Sequence, residues 1–127
     1  RHLSFSVQSQ RYNKFSSDSR SGGFGYVIPE KVHENHLEMD FDRFMVQIQM
    51  FYNYLIENGI PQEDARAVLP NAATCNLVTS GNLRAWLEFY NKRKKGNGAQ
   101  AESAEFAEEI KNAIVDVEPW TKEYFEL

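Results

Sequence analysis

The sequence has 127 residues, a length that fits one domain of ordinary size. Hydrophobic residues make up 42% and charged residues 25%, which is close to the globular average and argues against a disordered chain. The formal net charge of −4 argues against broad nucleic-acid binding, and no apolar run approaches the roughly 20 residues of a bilayer span, so we expect neither nucleic acid nor a membrane as a partner.

The first 28 residues show little regular periodicity. Residues 1–12 alternate loosely between apolar and polar side chains, which fits a short strand or a turn that enters a helix. Residues 13–23 are rich in Ser and Gly and predict a surface loop. Residues 24–28 predict a short strand that ends at Pro29.

The clearest predicted element is an amphipathic helix with Asp40 as its N-cap and Gly59 just beyond its end. Apolar side chains recur along it at three- and four-residue spacing. They are Phe41, Phe44, Met45, Ile48, Phe51, Tyr52, Leu55 and Ile56. Pro61 then opens a short helix to about Val68, and acidic residues 63 and 64 suit the positive end of its dipole.

Residues 73–79 predict a strand that Gly81 breaks. Asn82 or Ser80 then caps a helix that ends in the basic run 92–95. Residues 99–116 predict another amphipathic helix, and Pro119 opens a last short one.

These elements predict an α+β fold that is mainly helical and has a few short strands. We find no internal repeat and no linker long enough to divide the chain, so we expect a single domain over residues 1–127. The strands are too few to form a stable sheet alone. They therefore need partners from further sequence or from other subunits.

Common catalytic and metal motifs are absent from the sequence. There is no HExxH, no CxxC and no glycine-rich phosphate loop. His33 and His36 lie near several glutamates, a spacing that fits either a metal cluster or a solvated loop. The single cysteine, Cys75, permits no intrachain disulfide, so we expect a reducing, cytoplasmic compartment.

Four arginines are the candidates for anion recognition, because the guanidinium group suits bidentate binding of phosphate. They are Arg11, Arg66, Arg84 and Arg93. Composition alone leaves two interpretations open. The arginines either gather around a nucleotide phosphate or are ordinary solvated surface residues.

Three motifs resemble those of the flavin-dependent thymidylate synthases, also called thymidylate synthase complementing proteins. Residues 1–12 resemble a signature in which Arg-His-Arg precedes seven residues and a Ser, with Arg1 in the place of the last Arg and Ser9 in the place of the Ser. Residues 65–70 resemble the family's Ala-Arg-x-x-Leu-Pro segment. Residues 82–93 resemble its Asn-x-Arg helix with a terminal Arg. Together the motifs span nearly the whole chain.

The resemblance implies an α/β homotetramer that methylates dUMP to dTMP. It implies FAD as cofactor, with NADPH and methylenetetrahydrofolate as co-substrates, and active sites assembled from several subunits. Family members carry a substantial segment before the signature. We therefore expect a protein limited to these 127 residues to be inactive.

The resemblance also implies the site residues. The dUMP contacts would be Val7, Gln8, Ser9, Gln10, Arg11, Arg66 from a neighbouring subunit, and Arg93. The FAD contacts would be Arg1, Asn82, Leu83, Arg84 and Glu88. Arg93 would be catalytic, since a fixed cation beside the uracil stabilises negative charge that develops on the ring. We expect Ser9 to bind substrate rather than to act as a nucleophile, because no general base is identifiable beside it.

Some residues depart from the family pattern. Val7 stands where an acidic or amide side chain is frequent, and Glu88 stands where Asn or His is common. The family's histidine in the loop after Arg93 is missing, with Gly98 nearest its place. The alternatives are a non-catalytic helical interaction domain and a nucleotide-binding module without turnover.

Overall fold

The computed structural model describes residues 3–20 and 22–127, and the chain divides into two units. One, here called the 6–78 unit, contains Ser6–Val78. The other, the 79–127 unit, contains Thr79–Leu127 together with the described residues up to Phe5. Each unit has its own hydrophobic core. The single domain over residues 1–127 stays a prediction.

The described residues contain two strands, β1 (Leu3–Val7) and β2 (Leu77–Gly81), which pair in one antiparallel sheet. Most residues of both strands are exposed. The strand predicted over residues 73–79 is shifted towards the C-terminus and includes Gly81. With helices in the majority beside these strands, the mainly helical α+β fold is confirmed.

The strand predicted over residues 24–28 is wrong. Only Tyr26 pairs, in a single antiparallel bridge with Ala73. The Val27 N–H donates to the Ala72 carbonyl at 3.1 Å, and the Thr74 N–H donates to the Gly25 carbonyl at 2.9 Å. The pairing goes no further because Pro29 follows three residues after Tyr26, and Ala73 directly follows a turn at residues 71–72.

The described residues of the 6–78 unit form three α-helices, and the third continues into a 3-10 turn. They are α1 (Glu30–Glu34), α2 (Glu38–Glu57) and α3 (Gln62–Ala65), the last followed by Arg66–Val68. The sequence does not predict α1, because five residues are too few to show an apolar period. Asp40 lies in the first turn of α2 and is not its N-cap, which is residue 37. Gly59 has a φ of +81° just after the helix, where only glycine is unstrained.

The core of the 6–78 unit is only partly the predicted apolar stripe. Met45 and Tyr52 of α2 are buried, but Phe44 and Phe51 are 59% and 49% exposed. The reason is geometric, since each phenylalanine lies about 100° around the helix from the buried residue that follows it. Phe15 is buried instead, so the prediction that residues 13–23 form a surface loop is wrong at this position.

Polar side chains of α2 hold the segment around Phe15 in place. The Tyr52 hydroxyl accepts a hydrogen bond from the Phe15 N–H at 3.1 Å. The Gln49 amide donates to the Phe15 carbonyl at 2.8 Å and accepts from the Phe24 N–H at 2.9 Å. The Asn53 carboxamide accepts from the Ser17 N–H at 3.1 Å. These backbone groups are therefore paired although the segment forms no regular structure.

Helices make up most of the 79–127 unit, and a loop over residues 94–100 separates the first two of them. Its elements are α4 (Leu83–Arg93), α5 (Ala101–Val117), a 3-10 turn (Pro119–Thr121) and α6 (Lys122–Phe125). The core joins Tyr90 of α4, Ala107 of α5 and Phe125 of α6. The prediction that Pro119 opens the last helical segment is confirmed. Within residues 3–20 and 22–127, none of the helices combines the length and apolar character of a membrane span.

Candidate functional site

A tight turn built by Ser9 sets the position of Arg11. The Ser9 Oγ accepts hydrogen bonds from the N–H groups of Arg11 at 3.2 Å and Tyr12 at 3.4 Å. The Ser9 carbonyl accepts from the backbone N–H and the side-chain amide of Asn13, at 3.1 and 2.7 Å. Serine side chains stabilise turns in this way. The Ser9 hydroxyl oxygen thus accepts hydrogen bonds from the backbone of its own turn, and its role towards a substrate stays a prediction.

The residues before Ser9 continue the strand pairing. The Gln8 N–H donates to the Asn76 carbonyl at 2.8 Å, and the Gln8 side-chain oxygen accepts from the Asn76 N–H at 3.0 Å. Val7 ends β1 and is exposed, and Gln10 is half-buried in the turn. The start of the turn is therefore fixed to the sheet.

Arg11 and Arg66 are both bound to Glu63. The Arg11 Nε donates to the Glu63 carboxylate at 2.8 Å. The Arg66 Nε donates to the Glu63 main-chain carbonyl at 2.9 Å. Gln62 adds a hydrogen bond from its side-chain amide to the Arg11 carbonyl at 2.9 Å. The structure thus gathers two of the predicted arginines around one residue at the start of α3.

This cluster keeps donors available for an anion. A guanidinium has five N–H donors, and each arginine uses its Nε in the contacts with Glu63. Within the described residues, the Nη groups of Arg11 and Arg66 make no hydrogen bond. The side chains of Arg11 and Glu63 are 55% and 47% exposed, so an ion in solution can reach them. Two cations and one carboxylate leave a local charge of +1.

The start of α4 holds three of the residues predicted to contact FAD. The Asn82 side-chain oxygen accepts from the Ala85 N–H at 2.9 Å, which confirms Asn82 as the N-cap. An α-helix leaves its first N–H groups without partners inside the helix, here those of Leu83 and Arg84. The Leu83 side chain is half-buried against the core of the unit, so a contact of Leu83 with FAD, which stays a prediction, would involve its backbone.

Arg84 and Glu88 form an exposed ion pair one turn apart on α4. The Arg84 Nε lies 3.4 Å from a Glu88 carboxylate oxygen. The resemblance implies that Glu88 contacts FAD, which is an anion. The ion pair with Arg84 partly compensates the negative charge of Glu88 that would oppose such a contact. The N–H groups, the helix dipole and Arg84 together favour a phosphate at this helix start.

Arg93 is the last residue of α4 and is exposed. It lies nine residues after Arg84, which places the two arginines on roughly opposite sides of the helix. In the part of the chain that the structure describes, its side chain makes no hydrogen bond or ion pair. Arg1, the remaining predicted FAD contact, lies outside the described residues.

A second titratable cluster lies in the core of the 79–127 unit and was not predicted. The Tyr90 hydroxyl donates to the Glu108 carboxylate at 2.5 Å, and the Lys111 ammonium donates to the Tyr90 oxygen at 3.4 Å. Burial, followed by the hydrogen bond to Glu108, raises the pKa of Tyr90 above its usual value. The Tyr90 ring also packs edge-on against Phe125 at 5.3 Å. These contacts join α4 to α5 and α6, so we assign the cluster to stability.

Metal binding finds no support around the histidines. His33 Nδ1 lies 3.7 Å from the Glu38 carboxylate, a single pair. Among residues 3–20 and 22–127, no three His, Cys, Asp or Glu side chains are arranged to hold a metal ion.

Comparison with known proteins supplies the family. The model of the thymidylate synthase complementing protein family matches residues 1–120. The chain belongs to this family. A flavin-dependent thymidylate synthase of Geobacter sulfurreducens is 37% identical over 94 residues, which is 73% of this chain and 39% of the relative. One of Haloarcula marismortui is 31% identical over 147 aligned residues, which cover 99% of this chain and 59% of the relative.

A viral relative gives a similar result. A probable flavin-dependent thymidylate synthase of Mycobacterium phage D29 is 34% identical over 134 residues, which cover 95% of this chain and 54% of the relative. This member of the thymidylate synthase complementing protein family thus spans between about two fifths and three fifths of the length of the three relatives. The family expected from the motifs is confirmed, while the individual residue roles stay predictions.

The predicted site residues are divided between the two units of the chain. The 6–78 unit holds the stretch from Val7 to Arg11 together with Arg66, and the 79–127 unit holds the predicted residues of α4. Gln62 and Glu63, which contact Arg11, are not among the residues predicted from the sequence. In the sequence, Glu63 is only a favourable charge at a helix start, and no local pattern links it to Arg11, 52 positions away.

Proposed function

We propose that the protein is a flavin-dependent thymidylate synthase that methylates dUMP to dTMP. Methylenetetrahydrofolate supplies the one-carbon unit, and NADPH supplies the reducing equivalents through FAD. Family membership and the names of the relatives support this chemistry in general. The observation that carries the nucleotide assignment is the contact of Arg11 with Glu63, which engages Nε and leaves the Nη donors of Arg11 available.

The phosphate of dUMP fits the donors of the 6–78 unit. A phosphate monoester carries nearly two negative charges at neutral pH and accepts several hydrogen bonds. The Nη edge of Arg11 binds such a group in its own subunit, with charge-assisted hydrogen bonds. As the resemblance implies, Arg66 reaches the dUMP of a neighbouring subunit in the tetramer.

Arg93 acts on the uracil ring. Its guanidinium stays charged at all working pH values and donates in a planar fork that matches the edge of a pyrimidine. A cation fixed beside the ring stabilises negative charge at N3 and the neighbouring carbonyl, and this activates C5. Lysine cannot reproduce the planar fork, so Arg93→Lys should lower kcat more than it weakens dUMP binding.

The start of α4 fits the pyrophosphate of FAD. Two N–H groups, the positive end of the helix dipole and the exposed Arg84 all favour an anion there. Bound FAD supplies the hydride of the reaction. Asn82 keeps the helix start in the geometry that exposes the N–H groups of Leu83 and Arg84.

A homotetramer completes the site. Large apolar side chains remain exposed on α2 in the single chain, among them Phe44, Met50, Phe51 and Tyr54. Contiguous exposed apolar surface commonly marks an interface. The exposed two-stranded sheet also gains from further strands.

One experiment separates the enzyme from its alternatives. The purified full-length protein should carry a flavin absorbance band and form dTMP from dUMP, methylenetetrahydrofolate and NADPH. Arg11→Ala should weaken dUMP binding, and Arg43→Ala, an exposed arginine on α2, serves as the control. A colourless protein that ignores dUMP would favour an interaction domain, and one that binds dUMP without flavin would favour a nucleotide-binding module.

A further inference from the structure

We propose that Glu63 is a positioning residue, which orients Arg11 so that its Nη edge faces the phosphate of the bound nucleotide. This inference rests on the proposed function. Its starting point is the 2.8 Å contact between the Arg11 Nε and the Glu63 carboxylate, a short distance typical of a charge-assisted hydrogen bond.

Arg11 is held at three points before any ligand arrives. The Ser9 Oγ accepts from its backbone N–H, the Gln62 amide donates to its carbonyl, and the Glu63 carboxylate accepts from its side chain. A free arginine side chain has many rotamers and loses that freedom when it binds. Restricting the rotamers in the unbound protein reduces the entropy lost on binding.

The geometry of the contact distinguishes a Glu63 that positions Arg11 from a Glu63 that competes with phosphate for the Arg11 guanidinium. A carboxylate that competes with phosphate would occupy the bidentate fork of the guanidinium, where phosphate also binds. Glu63 contacts Arg11 through Nε, and the Nη groups make no hydrogen bond with the described residues, although the guanidinium also lies 5.5 Å from the centre of the Tyr12 ring. Phosphate can therefore bind Arg11 without displacing Glu63.

The exposure of the pair argues that its role is not stability. Both side chains are about half exposed, and ion pairs in that setting contribute little to folding. Removing the carboxylate should leave the thermal midpoint nearly unchanged. Any effect on the ligand is then separable from an effect on the fold.

The test measures the dissociation constant for dUMP by calorimetry on the full-length protein and its variants. Glu63→Ala removes the acceptor and should weaken binding about five-fold, the scale of one exposed charge-assisted contact. Glu63→Gln keeps an amide oxygen that can accept from Nε and should weaken binding less than about two-fold. Asp64→Ala is the matched control, because it removes a carboxylate from the same turn that makes no side-chain contact among the described residues.

A double-mutant cycle assigns the effect to Arg11. In an Arg11→Ala background, Glu63→Ala should cause no further loss of affinity, since the residue that it positions is gone. An equal loss in both backgrounds would overturn the proposal. The proposal would also be overturned if Glu63→Ala bound dUMP as tightly as Asp64→Ala does. Tighter binding by Glu63→Ala would show that Glu63 competes with the phosphate.

Failure of the proposed function gives a different result. A wild-type protein that binds neither dUMP nor inorganic phosphate refutes both proposals. A protein that binds inorganic phosphate but not dUMP refutes the proposed substrate, and Glu63 is then judged by the same variants with phosphate as the probe. A wild-type protein that binds dUMP with Glu63 variants of unchanged affinity refutes only the role of Glu63.

Discussion

Tyr52→Phe tests the anchoring of the loop that follows the Arg11 turn. Tyr52 is fully buried, and its hydroxyl accepts the hydrogen bond from the Phe15 N–H. The substitution keeps the ring and its packing but leaves that N–H without an acceptor inside the protein. A buried polar group that loses its partner costs about 1–3 kcal/mol, so we expect a loss of about 2 kcal/mol in the free energy of unfolding.

Urea unfolding measured by far-UV circular dichroism is the assay. Both tryptophans, Trp86 and Trp120, lie in the 79–127 unit, so tryptophan fluorescence would not report directly on the loop. A loss of this size lowers the urea midpoint by roughly 1 M. Tyr54→Phe is the control, because this exposed tyrosine of the same helix should change the free energy by less than about 0.5 kcal/mol.

Amide exchange gives the second readout. The Phe15 amide should exchange faster in Tyr52→Phe than in the wild-type protein or in Tyr54→Phe. If the two variants were equally stable and the Phe15 amide stayed protected, the hydroxyl would not be its partner, and this reasoning would be refuted.

Three further perturbations follow from local geometry. Asn82→Ala removes the cap of α4 and should cost about 1 kcal/mol, whereas Asn82→Asp keeps an acceptor and should cost less, as thermal unfolding would show. Gly23→Ala should destabilise the loop by more than about 1 kcal/mol, because φ is +113° and the new Cβ would lie 2.6 Å from the Gln49 side-chain oxygen. The control is Gly22→Ala, whose new Cβ meets open space, so that it tests the effect of a positive φ alone. Equal urea midpoints of the two variants would contradict this prediction. Because the pKa of Tyr90 is raised in the folded protein, Tyr90 contributes stability that is fully present below the ordinary tyrosine pKa of about 10 and is lost as pH rises through the higher folded value. In Tyr90→Phe, the free energy of unfolding should therefore fall less steeply with pH in the alkaline range, as a pH series of unfolding curves would show.

The sequence alone determined the main helices and the family. The apolar period located α2, α4 and α5, and capping signals marked Gly59 after α2 and, as one of two candidates, Asn82 before α4. Such signals depend on side chains within one or two turns of each other, so they survive without knowledge of the rest of the fold. The order and spacing of three motifs pointed to the family that the comparison then confirmed.

Only the tertiary structure decided which side chains are buried and which site residues meet. Phe15, within a polar segment, enters the core, while Phe44 and Phe51 on the apolar stripe of α2 stay exposed. Glu63 contacts Arg11 across 52 positions of sequence. Burial and long-range pairing depend on how distant segments pack, and the local pattern around a residue carries no information about the partner that packing brings to it.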